Sequence, residues 1–438
     1  MSVDWLTAFE ALKSVYSDGA YSNMALNEAI PRHKGCRDSF VRSMVKGTVR
    51  QTITLDHIID RLADNGVRSI KNRTLIILRM GLYALREMDS VPDHAAVSEA
   101  VNLARKTAKG TDRFINAILR SYIRSRGMYE SDGSENVQDL PFIAEIEDPY
   151  ERLSVKFAMP VPIVRRICEQ YGDEAPLILS GLNTPPPVIL RVNTLKTTRD
   201  DLIRDLNERG IRSEALDEAA DAIEAHGSGI IGSDLYREGM FSVQSLSSMK
   251  AVRALGPVRG SDVLDMCAAP GGKSCMMAEM MGNTGSVTSC DIHPHRLGLI
   301  EAAAARLGIG IIETRLADGT SFDPSMEGRY DYVLADVPCS GLGVMSTKPE
   351  IRLKEDSEDR SQLPEIQLSI LRNAFRYAKQ GGRICYSTCT LDKEENEQVI
   401  ERFMSEIHTL GRIVEMNTIL PYNNLIGFYY CIIEKSLQ

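Results

Sequence analysis

Two cysteines stand where a thiol is placed rather than merely packed. Cys389 lies in "YSTCTL" (386–391), between two threonines and just after a "GGRI" turn, and Cys339 lies in "DVPCSGLG" (336–343), also among turn residues. Neither has a histidine near it in sequence, and neither belongs to a C-x-x-C pair, so metal binding and disulfide exchange find no local support. A third stretch, "LDMCAAPGGKS" (264–274), ends like a phosphate-binding loop, but residue 267 is Cys267 where that loop needs its leading glycine. The pattern therefore argues against a nucleotide triphosphatase. What remains is a small-residue loop, Ala268, Ala269, Pro270, Gly271 and Gly272, that lets a ligand approach the backbone. Four successive strand ends carry an acid: Asp265, Asp291, Asp318 and Asp336. A single such Asp is more often a turn or cap residue. Four in series favour an adenosine-type ligand, with Asp291 placed to accept from a ribose diol and Asp318 to meet an adenine edge.

The elements that must position these groups alternate strand and helix from about residue 236. The strands read "DVLDM", "GSVTSCDI", "GIIETRLA", "YDYVLADVP", "GGRICYST" and "FYYCIIEK", with helices such as "PHRLGLIEAAAARLG" and "QLSILRNAFRYAK" between them. This order predicts a doubly wound, mainly parallel sheet that binds ligands at the carboxyl ends of its strands. "DKEE" after Cys389 predicts a helix beginning near Lys393, with Asp392 as N-cap and Glu395 as the acid of a capping box. Its positive end would lie beside the thiol and lower its pKa.

Residues 1–128 read as an all-helical bundle, from runs such as "WLTAFEALKSVY", "SFVRSMVKGTVRQTITLDHIIDRL" and "NRTLIILRMGLYALREM". In its last helix Phe114, Ile115, Ile118, Leu119 and Tyr122 share one arc, while Arg113, Asn116, Arg120 and Arg124 share another. That basic stripe suits RNA phosphates and suits a solvated face equally well. Residues 129–149, acidic and turn-rich, read as a linker; 150–235 read as a mixed α/β, RNA-binding subdomain whose strand "VILRVN" offers Arg191. The domain containing the cysteines is then 236–438.

At 438 residues the chain exceeds one ordinary core. Its net charge of −9 hides an asymmetry: residues 1–130 carry +6 and the remainder −15, which hints that the N-terminal end meets a polyanion. The nine cysteines, odd in number and scattered, form no disulfide framework, and Cys168, Cys275, Cys290, Cys385 and Cys431 read as core filler. No apolar run is long enough to span a bilayer, and "MSVDWLTAFE" lacks the layout of a signal peptide, so a cytoplasmic location is expected.

Taken in order, "DMCAAPGGKS", "DVPCSGLGV", "KPEIR" and "GGRICYSTCTLDKEENE" resemble the RNA cytosine-5 methyltransferases that use S-adenosylmethionine. "RVNTLK" and "GFYYCIIEK" fit as well. Upstream, "GAYSNMALNEAI", "DSFVRSMVKGTVR", "ILRMGLYALREMDSVPDHAAVSEAVNLA" and "FINAILR" resemble the NusB-like RNA-binding domain. Together they resemble the bacterial-type 16S ribosomal RNA (cytosine-5)-methyltransferase B family over nearly the whole chain. The resemblance implies a NusB-like bundle, a small α+β segment and a Rossmann-like methyltransferase domain acting on small-subunit ribosomal RNA, without a metal and as a monomer. It implies Cys389 as nucleophile, Cys339 as the group assisting release, Asp336 on the cytosine edge and Lys273 as a nearby positive charge. It places the cofactor against Cys267 to Lys273, Asp291, Asp318 and Asp336. This chain departs from the family pattern at Ser245, Tyr422 and Ile426.

That chemistry answers the question of the thiols. C5 of cytosine is a poor nucleophile; a thiolate adding at C6 turns the ring into an enamine whose C5 is nucleophilic. The base must leave its stack to be attacked, so looped or flipped RNA is implied. Transfer RNA is the nearest rival substrate. A non-catalytic NusB-like RNA-binding or antitermination protein is the rival from another class, and a cysteine hydrolase would need a base that none of the seven histidines signals in sequence.

Overall fold

The computed structural model describes residues 2–130, 143, 145–227, 229–353, 361–423 and 425–437. Of the expected linker, 131–142 and 144 lie outside the described residues. Two compact units result: one runs to Asn183 and takes in the segment that begins at Met345, and the other begins at Thr184.

In the first unit seven helices come first: Val3–Asp18, Ser22–Arg32, Asp38–Arg50, Thr52–Leu62, Asn72–Glu87, Asp93–Thr107 and Asp112–Glu130. Their apolar stripes close on one core that includes Trp5, Leu12, Leu26, Val45, Leu55, Ile77, Leu103 and Leu119. Ser2 caps the first helix by accepting from the Asp4 N–H, and Gly19 ends it in the left-handed region at φ 67°. The long run over 39–62 is two helices, not one, broken at Gln51. Thr52 Oγ1 donates to the carbonyls of Thr48 and Val49 there, a local bond that competes with helical continuity. Helix Ser22–Arg32 escapes a periodicity reading because its buried apolar side is only Ala25, Leu26 and Ala29. Helices Pro149–Phe157, Val161–Tyr171 and Ala175–Gly181 complete the unit, tied to the bundle by the Thr54 hydroxyl on the Val155 carbonyl.

The segment from Met345 is anchored in this unit by Arg352, which is 2% exposed. Its guanidinium donates to the carbonyls of Arg50 (2.7 Å) and Ala158 (3.2 Å) and to Asn183 Oδ1 (2.8 Å).

The second unit holds two sheets. A four-stranded antiparallel sheet has the order β2-β3-β1-β4, from β1 Val188–Val192, β2 Arg212–Ala215, β3 Ala222–His226 and β4 Phe241–Val243. A seven-stranded sheet has the order β10-β11-β9-β8-β5-β6-β7. Its strands are β5 Asp262–Asp265, β6 Ser286–Asp291, β7 Ile312–Leu316, β8 Tyr330–Asp336, β9 Ala378–Thr388, β10 Gly411–Ile419 and β11 Phe428–Lys435. β7, β6, β5, β8 and β9 run parallel, and β11 and β10 close the edge antiparallel. β10 is the strand that the sequence reading omits. Most of it is exposed, so "GRIVEMNTI" carries no clean alternation to signal it.

Parallel register brings the chemistry to one end. Asp265 pairs with Leu334 and Ser289, and Asp336 pairs with Ser387, so the loops carrying the acids and both cysteines leave from neighbouring strand ends.

Candidate active site

After β5 the chain turns through 266–271 and enters helix Gly272–Met280. Gly271 sits at φ 99°, and a Cβ there would lie 3.1 Å from the Ile300 Cα, so the turn needs a glycine on both counts. Beside this loop opens a cleft of about 520 Å³ at the carboxyl ends of the parallel strands. Cys267, Ala269, Asp291, Asp318 and Asp336 line it. Ala268, Pro270, Gly271, Gly272 and Lys273 are not among its walls; they shape the loop behind it. Asp291 is buried and accepts the His293 N–H on Oδ1 at 2.9 Å, while Oδ2 makes no hydrogen bond among the described residues. Asp318 Oδ1 is held by the Thr320 N–H (2.9 Å) and Oγ1 (2.7 Å). Ile292, Pro338, Ile366 and Ile370 supply apolar wall. An open carboxylate oxygen to accept from a ribose diol, beside apolar surface to pack on an adenine ring, fits an adenosyl cofactor. The apolar wall was invisible in sequence because it comes from three separate segments.

Beyond Asp336 the groups become reactive. Lys273 Nζ lies 2.6 Å from Asp336 Oδ2, and the Ser387 hydroxyl donates to Oδ1 at 2.7 Å. Burial alone would lower the Lys273 ammonium, but the Asp336 carboxylate beside it raises it overall, so this charge persists. Asp265, buried below, accepts from the Ser274 hydroxyl at 2.6 Å, and burial pushes its carboxyl up to about 7. The two cysteine sulfurs stand 3.2 Å apart, and the Cys389 N–H donates to Cys339 Sγ at 3.3 Å. The Gly343 N–H holds the Cys389 carbonyl at 3.0 Å. The hydrogen bond with Cys389 and then burial raise the Cys339 thiol well above its ordinary value. A raised thiol of this kind favours its protonated form at Cys339.

Three sequence expectations need correction. Arg191 is not an RNA ligand. It is wholly buried, with Nη2 2.8 Å from Glu279 Oε1, Nε 3.0 Å from Glu279 Oε2, Nη1 2.7 Å from the Gly272 carbonyl, and a further bond to Gln244. In a half-buried strand reading its side chain had two faces to choose from, and the helix packed beneath supplied the acid. The helix after Cys389 does not begin near Lys393: 393–396 form a turn and the helix is Glu397–Ile407, with Asn396 as its N-cap residue. Glu395 is consequently no capping acid but a buried side chain that accepts the Ser340 N–H. Phe114 is 38% exposed rather than part of the apolar arc. Arg113, Arg120 and Arg124 are exposed and Asn116 half-buried, with Arg120 donating to Asn116. Ser245 caps helix Leu246–Leu255 with its hydroxyl, so that departure has a structural use, while the bonds between Ile426 and Ser247 are made by the Ile426 backbone and do not depend on which residue stands there.

A parallel sheet with an adenosyl-type cleft, and a paired thiol site at the ends of the adjoining strands, defines a Rossmann-like S-adenosylmethionine-dependent methyltransferase. The family model for 16S rRNA methyltransferase RsmB/F matches residues 252–426, that for the NusB family matches 6–124, and that for the RsmF/B-like ferredoxin-like domain matches 159–229. A probable ribosomal RNA small subunit methyltransferase B of Bacillus subtilis is 37% identical over 408 residues, which are 91% of this chain and 87% of the relative. A protein of the same description from Synechocystis is 31% identical over 407 residues, 91% and 88% of the two chains. A solved methyltransferase homologue from Pyrococcus horikoshii shares the fold at a TM-score of 0.59, with 24% identity, over 66% of this chain and all of its own. The chain belongs to the 16S rRNA methyltransferase RsmB/F family, and it is a methyltransferase that uses S-adenosylmethionine.

Proposed function

We propose that this enzyme methylates C5 of a cytosine in small-subunit ribosomal RNA through a transient bond between Cys389 Sγ and C6 of the base. The single observation that carries the reading is the 3.2 Å pair of sulfurs next to the Lys273–Asp336 ion pair. The relatives' descriptions supply the substrate class.

Bound in the cleft, the cofactor would supply an electrophilic methyl group, its sulfonium sulfur keeping the electron pair of the carbon–sulfur bond that breaks. The residues do the rest. Cys389 Sγ adds to C6 and pushes the ring electrons to C5, which forms the new carbon–carbon bond. Asp336, held by Lys273 and Ser387, accepts from the N4 amino group on the N3 edge of the base and steadies the adduct. The C5 proton then leaves to a base, the C6–S bond breaks, and Cys389 returns as thiolate. Cys339 suits the release step because its sulfur stands 3.2 Å from Cys389 Sγ. Once that sulfur is held by carbon, the proton of Cys339 becomes easier to give up to water, and its sulfur can take the one on C5. The exposed Arg113, Arg120 and Arg124 provide phosphate contacts that position RNA. The substrate class makes this a cytoplasmic enzyme.

The test incubates the full chain with methyl-labelled S-adenosylmethionine and an unmodified small-subunit RNA transcript, followed by digestion for 5-methylcytidine. Cys389→Ala abolishes label. Cys339→Ala leaves RNA attached as a band that resists denaturation. Full activity in Cys389→Ala refutes the reading.

A further inference from the structure

Two neighbouring residues that the mechanism leaves idle reach both cysteine loops. Glu395 is 3% exposed; its Oε2 accepts the Ser340 N–H at 2.9 Å and the Gln367 Nε2 at 2.8 Å. The same Gln367 nitrogen donates to the Pro338 carbonyl at 2.9 Å. The peptides on either side of Cys339 are thus gripped by one pair of side chains. Asn396 is wholly buried; its Oδ1 accepts from Thr388 Oγ1 at 2.6 Å and its Nδ2 donates to the Thr390 carbonyl at 3.1 Å. Those are the residues on either side of Cys389. A direct bond of 2.8 Å between Ser340 Oγ and Thr390 Oγ1 crosses between the loops.

We propose that the dipeptide Glu395–Asn396 is the spacer that sets the separation of the two sulfurs, with Glu395 positioning Cys339 for release and Asn396 positioning Cys389 for attack. A buried carboxylate is costly, and Glu395 has no cation within salt-bridge distance among the described residues. Burial accordingly raises its pKa. A fold has no reason to keep such a group unless the bonds it makes are needed, and its bonds reach the Cys339 loop directly at Ser340 and through Gln367 at Pro338. The backbone explains why two adjacent residues can serve two loops. In the turn 393–396, before helix Glu397–Ile407 begins, Glu395 bonds to Ser340 while Asn396 bonds to Thr388 and Thr390. Tyr386 fixes that turn by donating to the Glu395 carbonyl.

The inference rests on the assignment of attack to Cys389 and release to Cys339, and one assay separates the two. Full-length protein, unmodified small-subunit RNA transcript and methyl-labelled S-adenosylmethionine are combined, and both 5-methylcytidine turnover and the denaturation-resistant protein–RNA band are measured. Loosening a reacting group by about 1 Å costs roughly 100-fold. Glu395→Ala therefore slows turnover by about that factor and accumulates the covalent band, as Cys339→Ala does. Asn396→Ala slows it comparably with no band, as in Cys389→Ala. Glu395→Gln keeps an acceptor for the Ser340 N–H and restores most of the turnover. Gln367→Ala, which cuts the Pro338 side of the same grip, shows the Glu395→Ala signature and decides the matter if Glu395→Ala fails to fold. A merely structural role predicts one shared outcome for both positions. If Cys339→Ala traps RNA while neither Glu395→Ala nor Gln367→Ala does, the spacer is overturned. If Cys339→Ala traps nothing, the assignment of release falls and the spacer with it.

Discussion

Asp265 shows how burial alone sets a residue's behaviour. Its carboxyl lies at 1% exposure and accepts from the Ser274 hydroxyl, and desolvation outweighs the Lys273 charge in pushing it up to about 7. The unfolded chain gives up that proton near 3.8. Between the two values the folded state binds more protons, so this residue's contribution is fully present below the lower value and is lost as pH rises toward 7. The expected slope is about 1.4 kcal/mol lost per pH unit across that window. Asp265→Asn keeps an acceptor for Ser274 and removes the titration. Denaturant unfolding at several pH values therefore shows the difference between variant and native protein growing from pH 4 to pH 7 in the variant's favour, then staying level. A difference that does not change with pH refutes the assignment.

At the scale of elements, the site is a matter of loops held by other loops. Gly343 follows the Cys339 turn and meets Gly427 backbone to backbone: its carbonyl accepts the Gly427 N–H at 2.9 Å, and its own N–H holds the Cys389 carbonyl. A Cβ at Gly343 would collide with the Gly427 carbonyl, and backbone there has no flexible end to give way. Gly343→Ala should therefore displace the loop that carries Cys339 and lower methylation by about 100-fold. Circular dichroism should remain that of a folded chain, since the collision is local. Retention of full turnover in this variant would mean that the loop adapts. The same logic accounts for what the sequence could show here. The strands β5, β6, β7, β8, β9 and β11 were legible from their apolar runs. β10, exposed along most of its length, was not. The capping-box spacing of Asp392 and Glu395 pointed to a helix start, but local spacing cannot register that Glu395 has a better partner in Ser340, 55 residues away.

For the whole molecule, the two units divide where the chain's own contacts divide it. The helical unit takes in a segment that follows the Cys339 loop in sequence, and Arg352 is the anchor of that segment. Removing its guanidinium leaves the Arg50 and Ala158 carbonyls and Asn183 Oδ1 without this donor. Each buried acceptor so orphaned costs about 1–3 kcal/mol, so Arg352→Ala should destabilise the helical unit by roughly 3 kcal/mol or more. Calorimetry of the full chain is the measurement, with the expected result a lowered transition for that unit. An unchanged melt would show that the segment is dispensable to it.

The sequence by itself determined the reaction class, through the resemblance that "DMCAAPGGKS", "DVPCSGLGV" and "GGRICYSTCTLDKEENE" bear to the RNA cytosine-5 methyltransferases. Cys339, Cys389, the 267–273 loop and the acids at the strand ends are fixed by short-range spacing, because a turn, a strand end and a thiol between small residues are local matters of backbone geometry. It also determined the helical character of the N-terminal region through 3.6-residue periodicity. Tertiary structure decided the rest. Only packing could turn Arg191 from a candidate phosphate ligand into the buried partner of Glu279, 88 residues distant. Only parallel register could bring Ser387 to Asp336 and set the two sulfurs 3.2 Å apart. Partners so far apart along the chain leave no periodic trace, since what selects them is the energy of leaving a buried polar group unpaired, and that quantity exists only once the chain has closed around it.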